Sequence, residues 1–316
     1  MKAFELILTT LGLTSDRRWD AKFTAVLEKA LEYVKTKTYD IVYPDFKSRL
    51  LIPVSHDADP GAETITYRQW DEFGMAQIIA NYGDDLPLID SLVEEYTQKV
   101  KSLGAAYQYS IQDLRRSAMS GAKLDQRRAR GCRRSIEFKI DDIAALGDTR
   151  TGLRGLVKHP NVPLVSPTTG TWSTATALQI IADMNKLVNS VVVLTKEVFL
   201  PDTLLLDLTN YNHIASMPMT VTGDAAMTVL KFFLTSNPYI TQVGSWNKLT
   251  NADVAGTGPR AVCYKKDPEV LTLEIPQEFE QMPAQTKNLA FVVPAHARIG
   301  GVIMYYPMAV AYMDGL

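Results

Sequence analysis

The sequence predicts an α+β fold, and three features of the chain support this prediction. Residues 110–147 have the apolar spacing of one long helix. Runs rich in β-branched and aromatic residues lie before and after this helix, as expected for paired strands. Within residues 170–260, helical and strand patterns alternate, which is typical of a compact mixed subdomain.

Length and composition indicate a globular protein. The 316 residues are 46% hydrophobic and carry a net charge of -2, which suits one large domain or two ordinary ones. The apolar start FELILTTLGL is interrupted by Glu5 and has no small-residue cleavage site, so a secretory signal is not expected. A membrane span is not expected either, since it needs about 20 consecutive apolar residues. The two cysteines, Cys132 and Cys263, are too few for a disulfide framework.

The first 110 residues are predicted to include a long hairpin. Before it, residues 1–47 combine a helix-like segment, AKFTAVLEKALEYV, with an extended one, and RLLIPV has the character of a short strand. ETITYRQW and EEYTQKVKSLGAAYQYS are typical of strands, and NYGDDLP between them is typical of a turn. Because a two-stranded hairpin buries few residues, it is marginal alone and needs a further surface to pack on.

The long helix is predicted to be amphipathic. Ser110 is a suitable N-cap, and Asp113 three residues later makes an acidic variant of the capping box. With about 100° per residue, one face is apolar: Ile111, Leu114, Ala118, Ala122, Ala129, Cys132, Ile136, Ile140 and Ile143. The far side carries a basic stripe: Arg116, Lys123, Arg127, Arg130 and Arg134. At ~1.5 Å per residue, the helix is expected to be about 50 Å long.

Two details depart from an ideal amphipathic helix. Asp125 lies on the apolar face and is expected to pair with a neighbour such as Arg128. Gly121 and Gly131 each cost about 1 kcal/mol relative to alanine, so they are expected to allow close packing or a bend.

The remainder predicts a mixed subdomain and then strands. TATALQIIADMNKLVNSVV and DAAMTVLKFFLTSNP are typical of helices, and DTLLLDL is typical of a buried strand. NKLTNADVAGTGPRAV is predicted to be a surface loop. AVCYKKDPEVLTLEIP indicates two strands around an Asp-Pro turn, and further strands from residue 287 are expected to pack on the apolar face of the long helix.

Patterns of catalysis or metal binding give no positive result, so no enzyme, metal or cofactor is predicted. The four histidines are scattered, without the spacing of a zinc motif. His56, Asp57 and Asp59 lie together, but a polar loop before Pro60 explains them equally well. A catalytic triad assembled from distant residues stays open.

Two interpretations of the basic stripe stay open on composition alone. One is an ordinary solvated helix face whose charges pair with nearby acids. The other is a cationic surface that contacts phosphate without reading base sequence. A sequence-specific DNA reader is disfavoured, because 33 basic residues are balanced by 35 acidic ones and no groove-entering motif is present.

Seven stretches point to a family. In chain order they are SRLLIPV, ITYRQWDEFGMAQIIANYGDDLP, AYQYSIQDLRRSAMSGAKLD, DTLLLDL, VLKFFLTSNPYI, YKKDPEVLTLEIP and VVPAHARIGGVIMYYPMAVAYMDG. They cover most of the chain from residue 48 to its end. Together with the order of elements, they resemble the major capsid proteins of tailed bacteriophages, which have the HK97-type fold.

The resemblance implies a division of the chain into five parts. Residues 1–47 are then the N-terminal arm, and 48–109 are the E-loop, a hairpin over 54–109 with its flanking strands. Residues 110–169 are the P-domain, whose spine helix is 110–147, and 170–260 are the A-domain, with 247–260 as the candidate tip. Residues 261–316 are strands that return to the P-domain. No cross-linking lysine and asparagine pair is identified.

The resemblance also implies a function. Pentamers and hexamers of the chain would build an icosahedral head around double-stranded DNA, in a virion assembled in the host bacterial cytoplasm. Portal, scaffolding or decoration proteins are further candidate partners, and no membrane is involved. The stripe of Arg116, Lys123, Arg127, Arg130 and Arg134 is expected to face the DNA, without base specificity. Asp84, Asp85, Glu94 and Glu95 are expected to form intersubunit ion pairs from the E-loop.

Two alternatives remain at this stage. An encapsulin-like compartment shares the fold but encloses protein, and the nucleic acid content of purified particles distinguishes it. A cytosolic enzyme with an unrecognised site is the second alternative, and electron microscopy of the purified protein separates an enzyme oligomer from a polyhedral shell.

Overall fold

Two buried clusters of apolar side chains organise the computed structural model, which describes residues 44–75, 88–120, 124–168, 170–219 and 227–316. Residues 46–316 form one compact unit. The predicted N-terminal helix and the NYGDDLP turn, with Asp84 and Asp85, lie outside the described residues, as do Gly121 and Lys123.

Six α-helices lie within these ranges: α1 (Ser48–Leu51), α2 (Ile111–Ser120), α3 (Leu124–Leu146), α4 (Ala177–Leu194), α5 (Leu208–Ser216) and α6 (Val229–Ser236). Short 3-10 turns occupy Asn247–Leu249 and Pro307–Ala309. The predicted long helix corresponds to α2 and α3, on either side of residues 121–123. By length and composition α4 could cross a membrane, but its buried residues, including Met184 and Val188, belong to the second cluster, as in a core helix of a folded domain.

Fourteen strands fall in the described part of the chain: β1 (Val54–Ser55), β2 (Thr64–Phe73), β3 (Asp90–Lys99), β4 (Lys101–Ser110), β5 (Leu164–Val165), β6 (Thr203–Leu206), β7 (Gln242–Ser245), β8 (Arg260–Tyr264), β9 (Leu271–Glu274), β10 (Gln277–Gln281), β11 (Gln285–Lys287), β12 (Ala290–Ile299), β13 (Gly301–Met304) and β14 (Val310–Asp314). They form four sheets, with the orders β2-β3, β1-β9-β13, β5-β14-β8-β6-β7, and β10-β12-β11 with β4 also on β12.

The predicted hairpin is present, but the segment predicted as its second arm is divided between two sheets. β2 and β3 pair antiparallel from Thr64↔Lys99 to Phe73↔Asp90. The chain then passes through buried Val100 into β4, which pairs with β12 over ten positions. The sequence predicted one uninterrupted hairpin arm to Ser110, whereas the residues after Val100 belong to the body of the protein.

The first cluster joins the long helix to the C-terminal strands, as predicted. Ile136, Ile140 and Ile143 of α3 are buried together with Ala297 and Ile299 of β12. This contact sets the orientation of α3, because the face opposite the isoleucines must point away from the sheet.

The second cluster packs α4, α5 and α6 on the five-stranded sheet. Two strands of this sheet, β8 and β14, contain residues that the domain division gave to the returning C-terminal strands. The helix α5 was not predicted. It begins where the Asp207 carboxylate accepts hydrogen bonds from the Thr209 and Asn210 amides, at 3.0 and 3.3 Å.

Two local predictions are wrong. RLLIPV was predicted to be a strand, but Ser48–Leu51 is one helical turn, because the Ser48 amide donates to Asp141 Oδ1 on α3 at 3.0 Å. The surface loop predicted at 247–262 is a loop only in part. Leu249 and Ala252 are buried in the first cluster, and Arg260 begins β8. The exposed residues of the candidate A-domain tip are Asn247, Thr250, Asn251, Val254, Ala255 and Thr257.

Candidate functional site

The helix α3 presents a charged face opposite its buried isoleucines. Arg127 and Arg130 are exposed on that face, and Arg116 is exposed on α2. No ion pair or hydrogen bond holds these three side chains within the described part of the chain. Three members of the predicted stripe are therefore solvated, while Lys123 lies outside the described residues.

The fifth member, Arg134, is half-buried at one end of this face. Its guanidinium carbon lies 5.7 Å from the centre of the Phe46 ring, and Phe46 makes an edge contact with Phe138 at 6.3 Å. The Lys248 ammonium lies 4.6 Å from the Phe138 ring. These contacts hold the Arg134 side chain in place, so its charged group is less free to move than those of Arg127 and Arg130.

The acidic residues in the C-terminal half of α3 have partners within the same chain. Glu137 binds Arg49 at 3.2 Å, and Asp142 binds Lys248 at 3.1 Å. Asp141 accepts a hydrogen bond from the Ser48 amide at the start of α1. The C-terminal half of α3 thus has its charges neutralised locally. In the N-terminal half, Arg127 and Arg130 have no acidic partner among the described residues.

Arg128 forms an ion pair with Asp113, and the predicted pairing of Asp125 with a neighbour such as Arg128 stays a prediction. Its guanidinium donates to Asp113 Oδ2 at 3.3 Å and to the Gln108 carbonyl at 2.5 Å. Asp113 also takes part in the predicted capping box, since its amide donates to Ser110 Oγ at 3.0 Å. Arg128 consequently links α3 to the start of α2 and to β4, while the side chain of Asp125 lies outside the described set.

Gly131 does not serve close packing. A Cβ built at this position meets no atom within 4 Å. The close-packing alternative is wrong for Gly131, so its bending role stays a prediction.

The hairpin carries two of the four predicted intersubunit acids. Glu95 already binds Arg68 across the two strands, with Oε1 and Nε 2.7 Å apart. Glu94 accepts a hydrogen bond from the Tyr96 hydroxyl at 2.5 Å, and this bond raises the pKa of Tyr96. Both carboxylates are exposed, but Glu95 has a partner within its own chain.

Among the residues that the structure describes, the reactive side chains do not assemble into a recognisable catalytic or metal site. Within the described residues, no group of three or more His, Cys, Asp or Glu side chains could hold a metal ion. His56 bonds the Ile275 carbonyl through Nδ1 at 2.8 Å. Burial raises the pKa of the Cys132 and Cys263 thiols, so both favour the protonated, unreactive form.

An aromatic cleft with a volume of about 1040 Å³ lies beside the hairpin, and no sequence pattern predicted it. Tyr67, Trp70, Phe199, Tyr305 and Tyr306 line this aromatic cleft. Its walls come from β1 and β2, from the segment after α4, from residues 265–272 and from the segment after β13. The lining also includes the charged residues Asp57, Arg68, Lys265, Asp267 and Glu269. Because these segments are distant in sequence, no local pattern could predict that they meet.

Comparison with known proteins agrees with the fold and the capsid-like sequence stretches. A family model described as "Major capsid protein" matches residues 74–316. No curated protein matches the sequence significantly.

Solved structures resemble the chain over nearly its full length. The capsid of Myoviridae phage XM1 has a TM-score of 0.80 and 18% identity, over 91% of this chain and 98% of that chain. The capsid of a native GTA particle has a TM-score of 0.65 and 11% identity, over 95% and 99%. A virus-like particle from Pyrococcus furiosus has a TM-score of 0.51 and 8% identity, over 84% and 90%. At these identities the similarity establishes the fold, which is the HK97-type fold.

Proposed function

This chain belongs to the major capsid protein family, and we propose that its copies assemble into the pentamers and hexamers of an icosahedral phage head that encloses double-stranded DNA. Its role as a structural subunit of a capsid shell rests on the family match over residues 74–316. That match is the observation that carries the proposal, and the fold shared with phage XM1 capsid protein supports it.

We propose that the basic stripe lines the inner wall of the shell. Arg116, Arg127 and Arg130 are exposed and have no ion pair within the described residues, so their charge is available to an external partner. Phosphate contact is electrostatic and independent of base sequence. Weak attraction of this kind suits a genome that is packed at high density and must later leave.

The test is the amount of DNA that particles retain after the stripe is neutralised. The variant replaces five residues with glutamine: Arg116, Lys123, Arg127, Arg130 and Arg134. The control replaces five other basic residues with glutamine, all exposed and outside the stripe: Lys101, Arg150, Lys158, Lys231 and Lys287. We expect well-formed particles of the first variant to have lower genome density than those of the control. Equal density in both would contradict the inner-wall proposal.

We further propose that the hairpin acts as an intersubunit E-loop. Asp84 and Asp85 near its predicted turn, together with Glu94, are the candidate acids for pairing with a neighbouring subunit. Glu95 would contribute only by exchanging or sharing its bond with Arg68. A ten-pair ladder with few buried side chains supports this role, since a second surface is needed to hold it in place.

The proposal includes a structural, non-enzymatic role in a virion that assembles in the host bacterial cytoplasm. Portal, scaffolding and decoration proteins are the candidate partners beyond the chain itself and DNA. An encapsulin-like shell is the other candidate with this fold, and it is less supported, because the family match and the likeness to the phage XM1 and GTA capsids favour the phage head. Packaged double-stranded DNA in purified native particles would support the phage head, and protein cargo without DNA would contradict it.

A further inference from the structure

We propose that a small pocket between the hairpin and the body of the protein binds an inorganic oxyanion of the phosphate class. This anion pocket has a volume of about 50 Å³. It lies within one chain, so the inference goes beyond the proposed shell function and does not depend on it.

The walls of the anion pocket come from both parts of the molecule. The hairpin contributes Tyr67 on β2 and Gln98 on β3, and the segment after α3 contributes Arg154 and His159. Residues 302–304 of β13 form a buried apolar side. None of the described residues that line the pocket is acidic. The positive charge of Arg154 therefore dominates its electrostatics.

The His159 ring meets two hydrogen-bond donors. Its Nδ1 lies 3.3 Å from the Asn161 amide nitrogen, and its Nε2 lies 3.3 Å from Arg154 Nη1. Burial, followed by the charge of Arg154, lowers the pKa of His159 to about 4, so the ring is neutral near neutral pH. A neutral imidazole has one acceptor nitrogen and one N–H. One of the two donors therefore finds no acceptor on the ring.

The donor without an acceptor lies on the pocket side of the ring. The backbone at His159 is held in place, because its amide donates to the Tyr312 hydroxyl at 3.2 Å. The Asn161 amide two residues later is also part of the backbone, whereas Arg154 is an exposed side chain that is free to turn. We therefore assign the acceptor to Nδ1 and the ring hydrogen to Nε2.

Two donors then converge on the anion pocket. The Nε2–H of His159 and the Nη1–H of Arg154 belong to nitrogens 3.3 Å apart, so neither satisfies the other. His159 is only 5% exposed, and a buried donor without an acceptor is unfavourable. A single oxygen placed between the two nitrogens would accept from both.

The position of Arg154 is fixed by its own backbone. Its carbonyl accepts a hydrogen bond from the Val302 amide at 2.8 Å. A Cβ at Gly301 would lie 2.7 Å from the same carbonyl oxygen, so glycine allows β13 to approach this closely. The guanidinium therefore extends from a fixed point at the pocket, and no carboxylate of the described residues forms an ion pair with it.

The hairpin supplies further donors. The Tyr67 ring is held by an edge contact with Tyr305 at 5.0 Å. Burial raises the pKa of Tyr67 and the charge of Arg154 opposes this rise, because the hydroxyl and the guanidinium are close together. Gln98 is buried, and its Nε2 donates one hydrogen to the Gly300 carbonyl at 3.1 Å and retains a second. Donors from the hairpin and from the body thus surround the same space.

Size and chemistry identify the class of ligand. A single water needs about 10–15 Å³ of such space, so the pocket holds a few waters or one compact ion. A guanidinium binds phosphate and related oxyanions through parallel hydrogen bonds that are stronger than those between neutral groups. The apolar side at residues 302–304 lowers the local dielectric constant, which strengthens the attraction. A phosphate ion bound here would bridge the hairpin and the body.

Isothermal titration calorimetry with inorganic phosphate tests the site in full-length subunits, with sodium chloride at the same ionic strength as the reference. Arg154→Gln removes the charge and should weaken phosphate binding about tenfold or more, as expected for a hydrogen bond to a charged group. Tyr67→Phe removes one hydroxyl, keeps the ring that packs on Tyr305, and should weaken binding about fivefold.

The matched control is Arg150→Gln, because Arg150 is an exposed arginine of the same segment that does not line the pocket. We expect this control to bind phosphate as the unaltered chain does. Three results would overturn the inference: no phosphate binding to the unaltered chain, equal heats with chloride, or equal losses in Arg150→Gln and Arg154→Gln. If Arg154→Gln does not fold, as judged by urea unfolding, unchanged binding in Tyr67→Phe overturns it. None of these outcomes bears on shell assembly, so the proposed function is tested separately.

Discussion

Arg260 and Asp314 form a two-pronged ion pair, with Nε–Oδ1 and Nη2–Oδ2 distances of 2.6 and 2.7 Å. Arg260 Nη1 also donates to the Val157 carbonyl at 2.6 Å, and its guanidinium lies 4.6 Å from the Tyr312 ring. Arg260 is buried. One side chain therefore joins β8, β14 and the segment that follows α3.

Loss of Asp314 should be strongly destabilising. Asp314→Ala leaves the Arg260 guanidinium buried without its counter-ion, which typically costs about 3–5 kcal/mol. Urea unfolding of dissociated subunits would measure this loss. Arg68→Ala is the control, because the Arg68–Glu95 pair is exposed and is expected to contribute less than about 1 kcal/mol. Equal losses in the two variants would contradict the stabilising role of the buried pair.

Two glycine substitutions should have opposite effects on stability. A Cβ at Gly155 would lie 2.5 Å from the Ala145 carbonyl oxygen, so Gly155→Ala forces the backbone apart and should cost at least about 1–3 kcal/mol. Gly131→Ala meets open space within α3 and should gain up to about 1 kcal/mol from helix propensity. Thermal unfolding midpoints would measure both changes.

We propose that α3 bends at Gly131 when the shell expands, and the same Gly131→Ala variant tests this role. If Gly131 is the bending point, Gly131→Ala particles should expand more slowly than unaltered ones, which time-resolved scattering can follow. Expansion at the unaltered rate would remove this role from Gly131.

His159 should make stability depend on pH. Burial, followed by the charge of Arg154 with Nη1 3.3 Å away, lowers the pKa of His159 to about 4. An unfolded histidine has a pKa of about 6.5, so between these values the unfolded state binds more protons. Stability should therefore fall as the pH drops from 6.5 to 4, by at most about 3 kcal/mol.

The variant His159→Gln isolates this contribution from that of the carboxylates. We expect the free energy of unfolding to fall less in His159→Gln than in the unaltered chain when the pH is lowered from 7 to 4.5. An identical fall in both proteins would mean that His159 is not the titrating group.

Shortening the hairpin should block shell closure. Deletion of residues 81–90 removes Asp84, Asp85 and the apolar residues Leu88 and Ile89, so the remaining hairpin would lose the intersubunit contact proposed for it. We expect soluble monomers or open rings in analytical ultracentrifugation, with subunit unfolding close to that of the unaltered chain. Normal closed shells from this variant would contradict the E-loop role.

Local sequence periodicity correctly predicted the buried face of α3. Cys132, Ile136, Ile140 and Ile143 are buried on one face of α3, because helical spacing alone decides which side chains share a face. The helix turn at Ser48 could not be found in this way, since its cap comes from Asp141, 93 positions away. The helix α5 is a different case, because its N-cap, Asp207, is a local signal. This signal was missed because DTLLLDL was interpreted as a continuous buried strand.

The candidate site was predictable to a similar extent. The pattern located the exposed Arg127 and Arg130, but whether a helix charge is already paired depends on tertiary neighbours. Arg128 binds Asp113, fifteen residues away, and Glu137 binds Arg49, which belongs to a different helix. The aromatic cleft depends entirely on long-range contacts, so it required the structure.

The chain runs from β3 through Val100 directly into β4, and this continuity has a mechanical consequence. β3 ends the free ladder at Lys99, and β4 begins at Lys101 with ten pairs to β12. Tension applied to the distant part of the hairpin runs along the backbone into β4 and loads its hydrogen bonds together, in shear. Bonds loaded in shear share the force, whereas bonds that are peeled break in turn. Force from a neighbouring subunit would therefore be resisted by the whole β4–β12 ladder at once.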